Sequence, residues 1–153
     1  MLPLASSAKL TLYIIQLKFR FFPYIFLFLF TIAVITNENH KSQLIMLSKG
    51  ADLLAPSSMP WEIANAFSAM FKRNRITLKK ATAALAAYNQ IPIRFYDVSL
   101  SRALDLAHRL NVYAYDAYVI ACALKHSSPI VSLDNGLLDA AHRAGVETIE
   151  VTS

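Results

Sequence analysis

AYDAYVIACAL at residues 114–124, followed after a short break by PIVSLDNG at residues 129–136, decides how this chain folds. Between Ala114 and Leu124 every residue is apolar or tyrosine except Asp116, which marks a helix buried nearly all round. Pro129 to Leu133 is a continuous apolar run apart from Ser132, and Asp134 stands just past its end. A run without alternation reads as a parallel strand inside an α/β sheet.

Working outward, the pattern from about residue 40 alternates short apolar segments with helical ones, as expected of an α/β domain with a parallel sheet. His40 to Ser48 has Leu44, Ile45 and Leu47 on a helical stripe closed by Gly50. Leu53-Leu54-Ala55 predicts a short buried strand, and Pro60 opens a helix with Ile63, Phe67, Met70 and Phe71 on its core face. Leu78 to Tyr88 predicts a second helix, making a hairpin around Arg73-Asn74-Arg75. Ile93 to Val98 predicts a strand, and Leu100 to Leu110 a helix with Leu100, Ala103, Leu104 and Ala107 apolar. Past Asp134, Leu137 to Ala144 predicts a helix ended by Gly145, and Val146 to Val151 an alternating edge strand. The chain contains no repeats and no low-complexity tract.

A chain of 153 residues suits one domain, and 56% hydrophobic residues leave ample surface to bury. Lys9, Lys18 and Arg20, with no acid before Glu38, carry three of the formal +5 charge, so the basic balance says little about a nucleic-acid partner. Cys122 is the sole cysteine, which excludes an internal disulfide and a cysteine-based zinc cage. Phe21 to Ile35 is apolar except for Pro23 and Thr31, but its 15 residues fall short of the ~18–20 that span a bilayer. Extension back to Thr11 takes in Lys18 and Arg20, and no small-x-small cleavage site follows Ile35. Membrane insertion is therefore not expected, and the location expected is the cytoplasm.

Three carboxylates stand where chemistry can be done. Asp116 lies in the first turn of an apolar helix, where desolvation is costly unless a cation or strong donors meet it; a helix N-cap is the alternative. Asp134 follows a buried strand, and ligand sites in open α/β sheets collect at the carboxyl ends of strands; a turn or helix cap is the alternative, since Asp134-Asn135-Gly136 is turn chemistry. Glu62 enters early on a helix after a strand, facing that same edge, or is a solvated first-turn acid. Carboxylates that converge without basic partners repel one another, and the usual remedy is a hard divalent cation, Mg²⁺ or Mn²⁺. Asn65 and Ser132 stand close enough in sequence to orient the acids or hold an outer-shell water. Lys72, Arg73, Arg75, Lys79 and Lys80 form a basic cluster that suits RNA phosphates or is a solvated face. His40, His108, His126 and His142 lack close metal spacing.

Pro60-Trp61-Glu62-Ile63-Ala64-Asn65-Ala66, Tyr115-Asp116-Ala117 and Ser132-Leu133-Asp134 resemble the later acidic motifs of PIN-domain ribonucleases, and more narrowly of VapC-type toxins of bacterial toxin-antitoxin pairs. The similarity runs from about Ala33 to Val151. It implies a three-layer α/β/α fold with about five mostly parallel strands. It further implies Glu62, Asp116 and Asp134 as metal ligands and catalytic residues, an RNA substrate, a cognate antitoxin covering the site, and homodimerisation.

One motif departs from that pattern. The family opens with a hydrophobic strand ending in Asp, and Ala33 to Glu38 resembles the segment after it, so the missing acid belongs near Leu27, where Phe26, Leu27 and Phe28 offer no ligand. Ile25 to Phe30 is β-prone enough to fill the central strand without the ligand. The domain expected is thus residues 33–153, with 1–32 an atypical apolar leader that supplies the first strand. The abrupt change of composition motivates the hypothesis that the first 30 or so residues come from another reading frame or a misplaced start; coding DNA with no frame leading to an Asp there would end it. The function expected is a metal-dependent endoribonuclease impaired by loss of the first Asp. Its alternatives are an inactive PIN-like module that binds an antitoxin or dimer partner, and a protein anchored through Thr11 to Ile35.

Overall fold

A computed structural model describes residues 23–26 and 50–150 of the chain. Its strands are β1 (Pro23–Phe26), β2 (Asp52–Pro56), β3 (Ile93–Tyr96), β4 (Ile130–Ser132) and β5 (Thr148–Glu150). Its helices are α1 (Met59–Lys72), α2 (Leu78–Tyr88), α3 (Leu100–Leu110), α4 (Ala114–His126) and α5 (Asn135–Arg143). The expected helix over His40 to Ser48 lies outside the described residues.

The strands form one sheet in the order β3-β2-β1-β4-β5, and every pairing is parallel. Pro23–Phe26, from the apolar stretch, is the middle strand: Ile25 registers with Leu54 on one side and with Ile130 on the other. From β1 the chain builds outward through β2 to β3, then returns to place β4 on the other flank of β1. The direction of winding therefore reverses between β1 and β4, and in such sheets the crevice for a ligand opens at the carboxyl ends of those strands.

Successive residues of a strand point to opposite faces, and β2 shows what covers each. Leu54 enters a core with Leu106 of α3, Ile120 of α4 and Leu137 of α5. Ala55 enters a second core with Met59, Ile63 and Phe67 of α1 and Ala81, Ala84 and Tyr88 of α2. The result is three layers, helices on both faces of a parallel sheet.

Local signals account for the helix bounds. Thr77 and Ser99 cap α2 and α3 by accepting from the backbone N–H of Lys80 and Arg102. Asn111 and Ser127 end α3 and α4 in left-handed conformation, and Gly145, at φ +81°, follows α5. α5 begins two residues earlier than expected because Asp134 caps it. β3 stops at Tyr96 rather than Val98, where the Ser57 N–H bonds the Tyr96 carbonyl and the chain leaves the sheet. The buried face of α3 is Ala103, Leu106 and Leu110; Leu100 and Leu104, counted among its apolar positions, are exposed. Phe71, expected on the core face of α1, lies at its margin and is exposed. α4 is enclosed as its sequence implies, with Val119 to Ala123 all buried. Among the described residues no helix is long and apolar enough to cross a membrane.

Candidate functional site

Each of the three acids leaves an element at the carboxyl edge of the sheet. β2 ends at Pro56, Ser57 and Ser58 turn the chain, and α1 carries Glu62 in its first turn. β4 ends at Ser132, and Asp134 follows two residues later. α4 starts at the same edge, since Ala114 and Tyr115 line a cavity together with Pro56, Ser57 and Ser58, and Asp116 stands one residue further on.

Glu62 is half-buried and accepts a hydrogen bond from Ser58 Oγ at 2.9 Å. Burial pushes its carboxyl from the ordinary 4.5 up to about 7; the Ser58 bond opposes that rise, and the charge of Asp116 adds to it. Asp116 is also half-buried, and its pKa is raised by burial and by the charge of Asp134. It does not cap α4, whose N-cap is Tyr113 with no side-chain bond. The three acids thus form an electrostatic chain, Glu62 to Asp116 to Asp134, and no ion pair among the described residues includes any of them.

Asp134 is exposed and acts as the N-cap of α5. Its Oδ1 accepts from the backbone N–H of Gly136 at 2.8 Å and of Leu137 at 3.1 Å. Ser132, buried at 4% exposure, accepts from the Asp134 N–H through Oγ at 2.9 Å and so fixes the backbone that carries the acid. Asn65 is on the exposed surface of α1, and the recorded partner of Glu62 is Ser58 instead. A serine at the N-cap, four residues before the acid, is the signal in the sequence that marks this partner.

The chemistry of this donor set suits a hard divalent cation: oxygen only, anionic and without an ion-pair partner among the described residues, with Glu62 and Asp116 raised in pKa first by burial and then by neighbouring acid charge. The number of donors falls short, because among the described residues no three acidic, histidine or cysteine side chains gather closely enough to hold one ion. Leu27, the expected place of the missing acid, lies outside the described residues, directly after the end of β1.

Beside the acids is a cavity of about 510 Å³, walled by Trp61, Leu100, Tyr115 and Tyr118 and polar at Ser57, Ser58 and Asp97. Ser57 Oγ donates to Asp97 Oδ1 at 2.8 Å. Asp97 stands just past the end of β3, the same placement that singles out Asp134, but an expected strand running to Val98 hid it. The basic cluster at the α1–α2 hairpin is exposed throughout, and none of its five cations is in an ion pair among the described residues.

The family model described as PIN domain matches residues 30–143. PAE2754 from Pyrobaculum aerophilum is a solved structure of similar fold, with a TM-score of 0.61 and 17% identity over 85% of this chain and 91% of that one. VapBC2 from Rickettsia felis, solved bound to a DNA fragment from its promoter, contains a chain similar at TM-score 0.60 and 12% identity, covering 84% of this chain and 98% of that one. No curated protein matches the sequence.

Proposed function

The chain belongs to the PIN domain family, and from that premise we propose that it is a metal-dependent endoribonuclease, the toxin half of a toxin-antitoxin pair, slowed by the loss of one carboxylate. The family is in general one of nucleases that use divalent metals. The observation that carries the reading is the electrostatic chain of Glu62, Asp116 and Asp134 at the carboxyl edge, with Glu62 and Asp116 raised in pKa and none of the three in an ion pair among the described residues.

In this reading Glu62, Asp116 and Asp134 are the residues that would hold Mg²⁺ or Mn²⁺, with Ser132 fixing the backbone at Asp134 and Asn65 on the rim. Such an ion, when bound, lowers the pKa of water and offsets charge on a phosphodiester. The protein's own part is to present the acids. The cap bonds hold Asp134 still through Oδ1, and Ser58 holds Glu62 through Oε1. With its pKa pushed up to about 7, Glu62 is part protonated at neutral pH, so a proton would compete with the cation for it and activity would rise as the pH passes 7.

The test is cleavage of single-stranded RNA with Mg²⁺ or Mn²⁺ and with EDTA. Slow cleavage is expected, abolished by EDTA and reduced at least about tenfold by Asp116→Asn, since a metal site loses about that much even when an outer partner is removed. Robust cleavage indifferent to Asp116→Asn sinks the assignment. The absence of a three-acid cluster among the described residues favours a second reading, an inactive PIN module that docks an antitoxin or a second copy. It is the one supported if a small partner co-purifies and no metal restores cleavage. The solved VapBC2 complex gives the antitoxin part of both readings its precedent.

A further inference from the structure

The cavity beside the acids is walled by aromatic rings that the fold leaves uncovered. Trp61 is 70% exposed on α1 and Tyr115 43% exposed on α4, with Tyr118 edge-on to Tyr115 at a centroid separation of 6.0 Å. Burying such rings is favourable, so their exposure at the mouth of a cavity marks a surface that something flat and apolar can cover. The volume, about 510 Å³, is that of a small-molecule site and accommodates a nucleoside.

The cavity neighbours Glu62 and Asp116, although neither lines it. Ser58 lines it and also donates to Glu62, Trp61 precedes Glu62 in α1, and Tyr115 precedes Asp116 in α4. A strand whose phosphate lay against Glu62 and Asp116 would have its neighbouring base at this opening. Single-stranded RNA is read in this way, by bases splayed out onto aromatic side chains and hydrogen-bonded along their edges.

The polar edge selects among bases. Asp97 Oδ1 accepts from Ser57 Oγ, and a carboxylate has acceptor sites to spare. The Watson–Crick edge of guanine offers two adjacent donors, N1–H and N2–H, which one carboxylate can accept together. Adenine, cytosine and uracil present no such adjacent pair. Lys125 Nζ donates to the Asp97 carbonyl at 3.3 Å, which sets a cation near the carboxylate and eases the approach of RNA to an acid.

Building on the nuclease reading, we infer that this cavity is a nucleobase subsite. Trp61 and Tyr115 stack the base next to the phosphate presented to Glu62 and Asp116, and Asp97 makes that base guanine.

Trp61 is the only tryptophan of the chain, so its emission reports on the cavity directly. The full chain is titrated in EDTA, where metal-dependent cleavage is silent, with the RNA pentamers UUGUU and UUUUU. Saturable quenching is expected, with UUGUU bound roughly tenfold more tightly, the scale of one good base contact. Asp97→Asn should reduce that preference to about twofold or less, and Tyr115→Ala should weaken both pentamers roughly tenfold. Circular dichroism checks each variant, and the comparison of pentamers on the unsubstituted chain is decisive even if a variant fails to fold.

Equal affinity for the two pentamers overturns the guanine assignment, and emission unmoved by saturating RNA overturns the subsite. So does emission that follows protein concentration in step with dimer formation, because a second copy then fills the cavity. Cleavage with no Trp61 response discards the subsite and leaves the nuclease reading standing. A Trp61 response with no cleavage under any metal does the reverse.

Discussion

Glu62 should make the metal-free protein less stable as the pH rises through neutrality, and Glu62→Gln should remove most of that loss. Its carboxyl titrates near 4.5 in the unfolded chain and near 7 in the folded one. Below 4.5 both states are protonated and Glu62 has no effect. Between 4.5 and 7 the unfolded chain ionises while the folded one still holds its proton, so stability falls with pH and levels off above 7. A shift of that size corresponds to about 3 kcal/mol at most. The side chain is only partly buried and solvent screens its charge, so a loss of about 1–2 kcal/mol is expected between pH 5 and pH 8. Urea unfolding in EDTA across that range measures it. The glutamine variant should show a flatter profile, and millimolar Mg²⁺ or Mn²⁺ added to the unsubstituted chain at pH 8 should recover part of the loss. A profile equally steep in Glu62→Gln refutes the reasoning, because the strain would then lie elsewhere.

Asp134 separates two roles within one side chain. Asp134→Ala should cost about 1 kcal/mol in urea unfolding through the lost cap, whereas Asp134→Asn retains an acceptor for Gly136 and Leu137 and should cost much less. Asp134→Asn should also lower the pKa of Asp116, visible in carboxyl titration by NMR, since the charge of Asp134 helps to raise it. Leu27→Asp should raise metal-dependent RNA cleavage by on the order of tenfold or more, and no gain there would remove the missing ligand as the cause of slow turnover. At the α1–α2 hairpin, Lys79→Ala with Lys80→Ala should make the log–log dependence of RNA affinity on salt shallower by about 1.4, and an unchanged slope would leave that cluster a solvated face.

Where helix signals are local, the chain was legible from its residues alone. The observed ends of α2 and α3 are the expected ones, and the run of α4, apolar or tyrosine to Leu124 except at Asp116, reads directly as burial of Val119 to Ala123. Which side of α3 meets the sheet was not legible, because Leu100, Leu104 and Leu106 are equally apolar in sequence. Only the approach of α4 and β2 decides that Leu106 is buried and the other two are not. The acids were legible one by one through their place after strands or in first turns. Their mutual spacing was not: it depends on how α1, α4 and α5 meet the edge, and the structure couples them in a chain without gathering three around one point. Asp97 was missed because a two-residue error at the end of β3 turns a rim residue into a strand residue.

The three acids also differ in what a chain that no longer cuts would do with them. Asp134 supports the folded state through its cap, so random substitution there meets resistance whether or not the protein has a substrate. Glu62 is held against desolvation and the charge of Asp116, and Asp116 against desolvation and the charge of Asp134, so an idle copy would gain stability by losing either. Among drifting relatives these two positions would be the first to decay.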